Sequence, residues 1–199
     1  MTGRFHQEGD LLRSRPVITQ GMLDDLFGLN LAYLDLLGAH PGSPGDAEVH
    51  GLSSSNVLLI ADLTAAQRRE VAACPYSLFR LNLPLDGAAE PSIESPLALF
   101  QHRHVCAVSA LLFAWHLARS GQPAARILLG LSATACEYLR SLTASRLPAI
   151  ATRESLLITR FARRRYFWSE LIQSVRAGYA RRLEVTQLAG VQWLALGSS

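Results

Sequence analysis

Lysine is absent: all 19 basic residues of this 199-residue chain are arginine. Each cation is therefore a planar fork that can donate two parallel hydrogen bonds to phosphate or carboxylate. A GC-rich coding sequence also accounts for the missing lysine. Cysteine is scarce. Cys74, Cys106 and Cys136 are too far apart for a zinc or redox motif and too few for a disulfide framework. In apolar surroundings such thiols behave as small hydrophobes. No nucleophile elbow, phosphate-binding loop or dinucleotide fingerprint occurs. Paired carboxylates at helical spacing are missing too, since Asp24 and Asp25 are neighbours and diverge.

Acidic residues are missing between Glu94 and Glu137. That gap bears on the tempting metal group His102, His104 and Cys106. On a helix His104 points away from the other two, and His116 lies ~21 Å along the axis from His102. With no local carboxylate there is no second shell for a metal. Cys74 precedes Pro75 at a helix end, where the negative dipole disfavours a thiolate. The residues thus supply no catalytic group, metal site or cofactor, and a non-enzyme is expected. Long apolar runs are lacking as well. The longest, Val105 to Trp115, falls well short of the ~20 residues a membrane-spanning helix needs. Residues 1–16 have no apolar signal core. These features predict a soluble, cytoplasmic protein without membrane contact.

What is present is unevenly charged. Residues 1–100 hold six arginines and twelve carboxylates, and residues 101–199 hold thirteen arginines and four glutamates. The net charges are −6 and +9, so the second half is expected to meet something anionic. The apolar fraction of 49% against 18% charged residues implies apolar surface covered by another chain.

Residues 1–16 read as an arm. From Val17 the apolar spacing becomes helical through Leu23, Leu26, Phe27, Asn30, Leu31, Leu34 and Leu37, with Thr19 as cap and Gly38 and Pro41 as stops. A second amphipathic piece spans Ser54 to Ala61. Thr64 opens a third, with Gln67 at capping-box spacing and Pro75 beyond its end. Residues 77–84 alternate as a short extended segment, and Asp86 to Pro96 reads as the boundary between two modules.

Leu26 to Leu37 and Val57 to Leu83 resemble the FlhD family, subunits of the bacterial flagellar master activator. The shared features are the Leu-Asn-Leu-x-Tyr-Leu core, the Leu-Thr helix start, the Val-Ala pair and the closing Phe-Arg-Leu stretch. The likeness covers residues 18–85. It implies an all-α dimerising module that works with a DNA-binding partner. Its assembly surface would be Leu26, Phe27, Asn30, Leu31, Tyr33 and Leu34.

In the basic half, Ser95 and Pro96 start a helix that Gly121 ends, with Phe100, Ala107, Val108, Leu111, Leu112 and Trp115 on one face. Gln122 to Leu142 has the outline of a helix-turn-helix. Pro123 lies in a first turn, Gly130 at a left-handed stop, and Ser132 caps a helix from Ala133 to about Leu142. Residues 98–142 then give the three helices such a domain needs. The "Leu-Ser" corner, Tyr138 to Arg140 and Pro148 resemble the N-terminal part of FlhC, FlhD's partner. FlhC's later zinc cysteines are absent, so no zinc role carries over. The second helix is poor in base-reading donors and offers Thr134, Glu137, Tyr138 and Arg140. Two core helices joined by a glycine turn would read the same way.

Further on, Phe161 to Trp168 sets Arg163, Arg164 and Arg165 among aromatics, near Arg153, Arg160, Arg176, Arg181 and Arg182. Arginine beside aromatic rings fits phosphate contact with stacking. A solvated face, or a surface meeting the acidic half, fits equally. Trp168, Leu171, Ile172, Val175, Tyr179 and Leu183 form one apolar stripe, and Val191 to Leu196 can dock on the core.

The expected fold is an all-α bundle of about seven helices with at most one short extended segment. The acidic module spans 17–90 and the basic module 96–199. The expected function is transcription regulation, with assembly through the N-terminal helices as a homo-oligomer or with a related subunit. The basic half would contact DNA or RNA polymerase through Arg163, Arg164, Arg165, Arg181 and Arg182, and Arg140 and Thr134 would face the bases. The alternative is a helical adaptor or anti-activator that binds a protein and no nucleic acid.

Overall fold

Thr19 starts the first helix, its hydroxyl accepting a hydrogen bond from Met22 N at 3.3 Å. This computed structural model describes residues 18–39, 51–85, 97–164 and 166–196. The expected arm at 1–16, the linker at 86–96 and Arg165 lie outside the described residues. Helix α1 is Gln20–Gly38, α2 is Ser54–Ala61 and α3 is Ala65–Ala72. The capping box on α3 is complete: Thr64 Oγ1 accepts from Gln67 N, and Gln67 Oε1 accepts from Thr64 N at 3.0 Å. Strand β1, Phe79–Leu81, lies within the predicted extended segment.

In the basic half, α4 is Leu97–Ser120, α5 is Gln122–Leu129 and α6 is Ala133–Ser141. A 3₁₀ turn and the short α7, Leu147–Ile150, lead to strand β2, Leu157–Thr159. Helix α8 is Phe167–Arg176 and α9 is Ala180–Ala195. The fold is all-α in class, with nine helices and one two-stranded sheet among the described residues.

The two charge halves share one core. β1 from the acidic half pairs antiparallel with β2 from the basic half, with Phe79 opposite Thr159 and Leu81 opposite Leu157. Helix α1 packs on α2, α3 and α4, while α2 and α3 pack on α8. The change in composition near residue 90 therefore marks a change in surface charge, not a break between two cores. Nothing in the sequence marks β2, which is three residues long and is followed directly by Arg160 at the start of an arginine-rich stretch.

Two apolar readings are corrected. The stripe from Trp168 to Leu183 is split, because Gly178 takes φ +68° and the N–H groups of Gly178 and Tyr179 close the end of α8 on Val175 and Ser174. Trp168, Leu171, Ile172 and Val175 are buried, but Tyr179 is exposed. On α4 the inward face is Ala107, Ala110, Leu111, Ala114 and Leu117, whereas Leu112 points outward at 43% exposure.

The expected assembly stripe on α1 is taken up within the chain. Leu26, Asn30, Tyr33 and Leu34 are buried, and Phe27 and Leu31 are half-buried against the same core. Asn30 joins two elements. Its Nδ2 donates to the carbonyls of Ala72 and Tyr76 at 3.1 and 3.0 Å, and its Oδ1 accepts from Leu78 N at 2.9 Å. It thereby fixes the bend between α3 and β1. Asn30→Ala leaves that N–H and those carbonyls buried without partners, so urea unfolding should show a loss of about 3 kcal/mol.

Candidate nucleic-acid interface

Helices α4, α5 and α6 pack on one another as a three-helix unit. Pro123 lies in the first turn of α5, where a missing N–H costs nothing. Gly130 ends α5 at φ 60° and ψ 31°, its N–H turning back to Ala125 O. Ser132 Oγ accepts from Ala135 N at 3.1 Å and starts α6. Ala124, Ala125, Leu128 and Leu129 of α5, with Ala135, Cys136 and Leu139 of α6, are buried. Thr134, Glu137, Arg140 and Ser141 are left on the outer face of α6, and Arg126 and Ile127 on that of α5. The helix-turn-helix outline is thus realised as a physical corner, with the expected side chains outward.

The corner is braced from inside by Arg160, which is 1% exposed. Its Nε donates to Ser77 O at 2.9 Å. One terminal nitrogen donates to Phe79 O at 3.1 Å and to Leu129 O at 2.5 Å. Leu129 O is among the last carbonyls of α5, which have no intrahelical donor and carry the negative end of the dipole. Burial pulls the guanidinium down to about 10, with nearby Tyr76 opposing the shift, so the group stays charged at neutral pH. Arg160 therefore ties α5, β1 and β2 together and does not belong to the basic face. Phe161, directly after it, has φ 56°, a strained backbone for a non-glycine residue. Its ring packs edge-on between Tyr76, Phe167 and Trp193.

The other arginines do not form one patch. Arg163 and Arg164 are exposed, with the Arg164 guanidinium 5.1 Å from the Trp193 ring centre. Arg181 and Arg182 are also exposed, and Arg182 Nε binds Glu170 at 2.7 Å. Arg181 and Trp193 are twelve residues apart on α9, ~18 Å along the axis, so the two pairs sit at opposite ends of that helix. Arg176 pairs with Asp62 at 2.9 Å, and buried Arg103 with Glu154 at 3.2 Å.

Arg126 and Arg146, both exposed, flank the α5–α6 unit, and Arg119 lies 4.8 Å above the Trp115 ring whose Nε1 donates to Leu142 O at the end of α6. None of these three stands out in the sequence, because each is isolated, while Arg163 to Arg165 form a run. Arg126 is the one charged residue of α5, on the polar side of its apolar stripe, and that signal could have found it.

Burial raises the Cys74 and Cys106 thiols to about 12. His102 is exposed and Cys106 buried, and among the described residues no group of three or more His, Cys, Asp or Glu could hold a metal ion. Nor is any helix among the described residues long and apolar enough to cross a membrane. A groove of about 820 Å³ runs between the corner and the end of α9, lined by Tyr76, Arg126, Ile127, Ser132, Val191 and Leu194. Comparison with family models, curated proteins and solved structures found no match.

Proposed function

We propose that this protein is a cytoplasmic transcription regulator that contacts DNA through the outer face of α6. The observation that carries the reading is the braced corner. A left-handed glycine, a serine-capped helix and a buried arginine hold α6 at a fixed angle, with Thr134, Glu137 and Arg140 outward and Arg126 beside them. Arg126 and Arg146 would hold phosphates, and Arg140 and Thr134 would face base edges. Arg163, toward the corner end of α9, and Arg181, at its far end, would extend the contact along that helix. The likeness of residues 18–85 to FlhD supports the regulatory class, while assembly would use a surface other than the buried stripe of α1. RNA polymerase would be a further partner of such a protein.

The test is fluorescence anisotropy with a labelled mixed-sequence duplex across a salt series. Four phosphate contacts would give a log–log slope of about −3.6, and so a ~100-fold loss of affinity between 50 and 200 mM salt. Flat affinity, or none, removes the nucleic-acid role. The adaptor reading is then the one that stands. It is favoured by α9, where Val185 and Leu188 are 59% and 60% exposed.

A further inference from the structure

The outer face of α4 carries His102, Val105, Ser109, Leu112 and His116, all exposed, at steps of three, four, three and four. That is the spacing of a helix–helix seam. Val105 is 64% exposed and Leu112 43%, so the apolar members of the seam are uncovered within the chain. The order is nearly palindromic about Ser109. Two α4 helices crossing antiparallel there would set Ser109 against itself, Val105 against Leu112, and His102 against His116. A two-fold interface requires this kind of self-complementarity.

The flanking charge agrees. Helix α1 runs beside α4, and together they line a groove of about 980 Å³ floored by Leu29, Leu36 and Phe113. Within α1 the charged residues are Asp24, Asp25 and Asp35, with no basic residue. Within α4 they are Arg103 and Arg119, with no acidic residue. Asp35 is engaged by Arg68 at 2.9 Å, while Asp24 and Asp25 face solvent on the groove wall. A second copy seated across α4 would bring a helix with exposed Arg119 and no carboxylate onto this acidic wall, and the same contact would occur twice.

We propose that the chain forms a two-fold dimer through α4, with Ser109 at the axis and the acidic wall of α1 as its flank. The proposal rests on the assembly part of the functional reading and is independent of nucleic acid. Because α4 also packs on α6, the dimer would carry two α6 helices related by the same axis.

Light scattering of the full chain should give twice the 21.7 kDa chain mass. Ser109→Arg places two like charges against each other and should halve that mass, with the circular dichroism spectrum unchanged because residue 109 is exposed. Leu188→Arg on α9 should leave the dimer intact. In a Cys106→Ala background, Ser109→Cys should crosslink to a dimer under mild oxidant in the absence of DNA, and Ser141→Cys on α6 should not. A monomer at tens of micromolar, a dimer that survives Ser109→Arg, or one abolished by Leu188→Arg would overturn the proposal. Failure to bind DNA leaves the Ser109→Cys crosslink in place, so the two ideas fail separately.

Discussion

Arg160→Ala should lower the stability of the chain by about 4 kcal/mol, equivalent to a fall of ~12 °C in melting temperature for a domain of this size. Two effects oppose each other. Removing the side chain relieves the cost of holding a charge out of water, which is the origin of its lowered pKa. It also leaves the carbonyls of Ser77 and Leu129 buried without this donor, and it empties the space of a long side chain. The second effect wins, because the acceptors are backbone groups that no substitution at residue 160 can remove. Arg160→Lys keeps the charge but loses the fork, so it reaches fewer of these carbonyls at once and should cost about half as much. Thermal unfolding followed by circular dichroism ranks the three proteins. Equal stability of Arg160→Ala and the parent would show that the brace is not holding the corner.

Gly130→Ala is expected to cost about 3 kcal/mol. A left-handed backbone accounts for about 1–2 kcal/mol of this with any L side chain. The rest comes from Arg160, since a Cβ on residue 130 would lie 2.5 Å from its second terminal nitrogen. The guanidinium cannot retreat without releasing Leu129 O. The two changes therefore act on one contact, and the Gly130→Ala, Arg160→Lys double variant should cost less than the sum of its singles. Denaturant unfolding of the four proteins measures this coupling. Strict additivity would mean that the glycine serves the turn alone.

Much of this architecture was legible in the sequence where the physics is local. Thr19, Thr64 and Ser132 cap helices because short hydroxyl side chains reach free N–H groups within one turn, and Gly130 stops α5 because it lacks a Cβ. The corner and the outward position of Thr134 and Arg140 followed from those signals. What the sequence concealed is non-local. Arg160 sits in an arginine-rich stretch, and all its acceptors but the Ser77 hydroxyl are backbone carbonyls 31 to 83 residues away, which carry no residue type to recognise. Asn30 read as part of a leucine stripe for the same reason, its partners lying 42 to 48 residues on. The basic half overstated its free charge. Asp62 and Glu170 each engage an arginine, and Arg103 and Arg160 are buried.

The central claim is that the face formed by α5 and α6 is the one that meets nucleic acid. Its most direct test is the duplex titration repeated with Arg126→Ala/Arg140→Ala and, separately, with Arg163→Ala/Arg181→Ala. All four residues are exposed, so the fold should be unaffected. The first pair should lower affinity at 100 mM salt by about tenfold or more, and, since Arg126 alone of the two holds a phosphate, the salt slope should become shallower by about 1. The second pair, along α9, should lower affinity less. The opposite order, or no change in slope with the first pair, would contradict the assignment of this face.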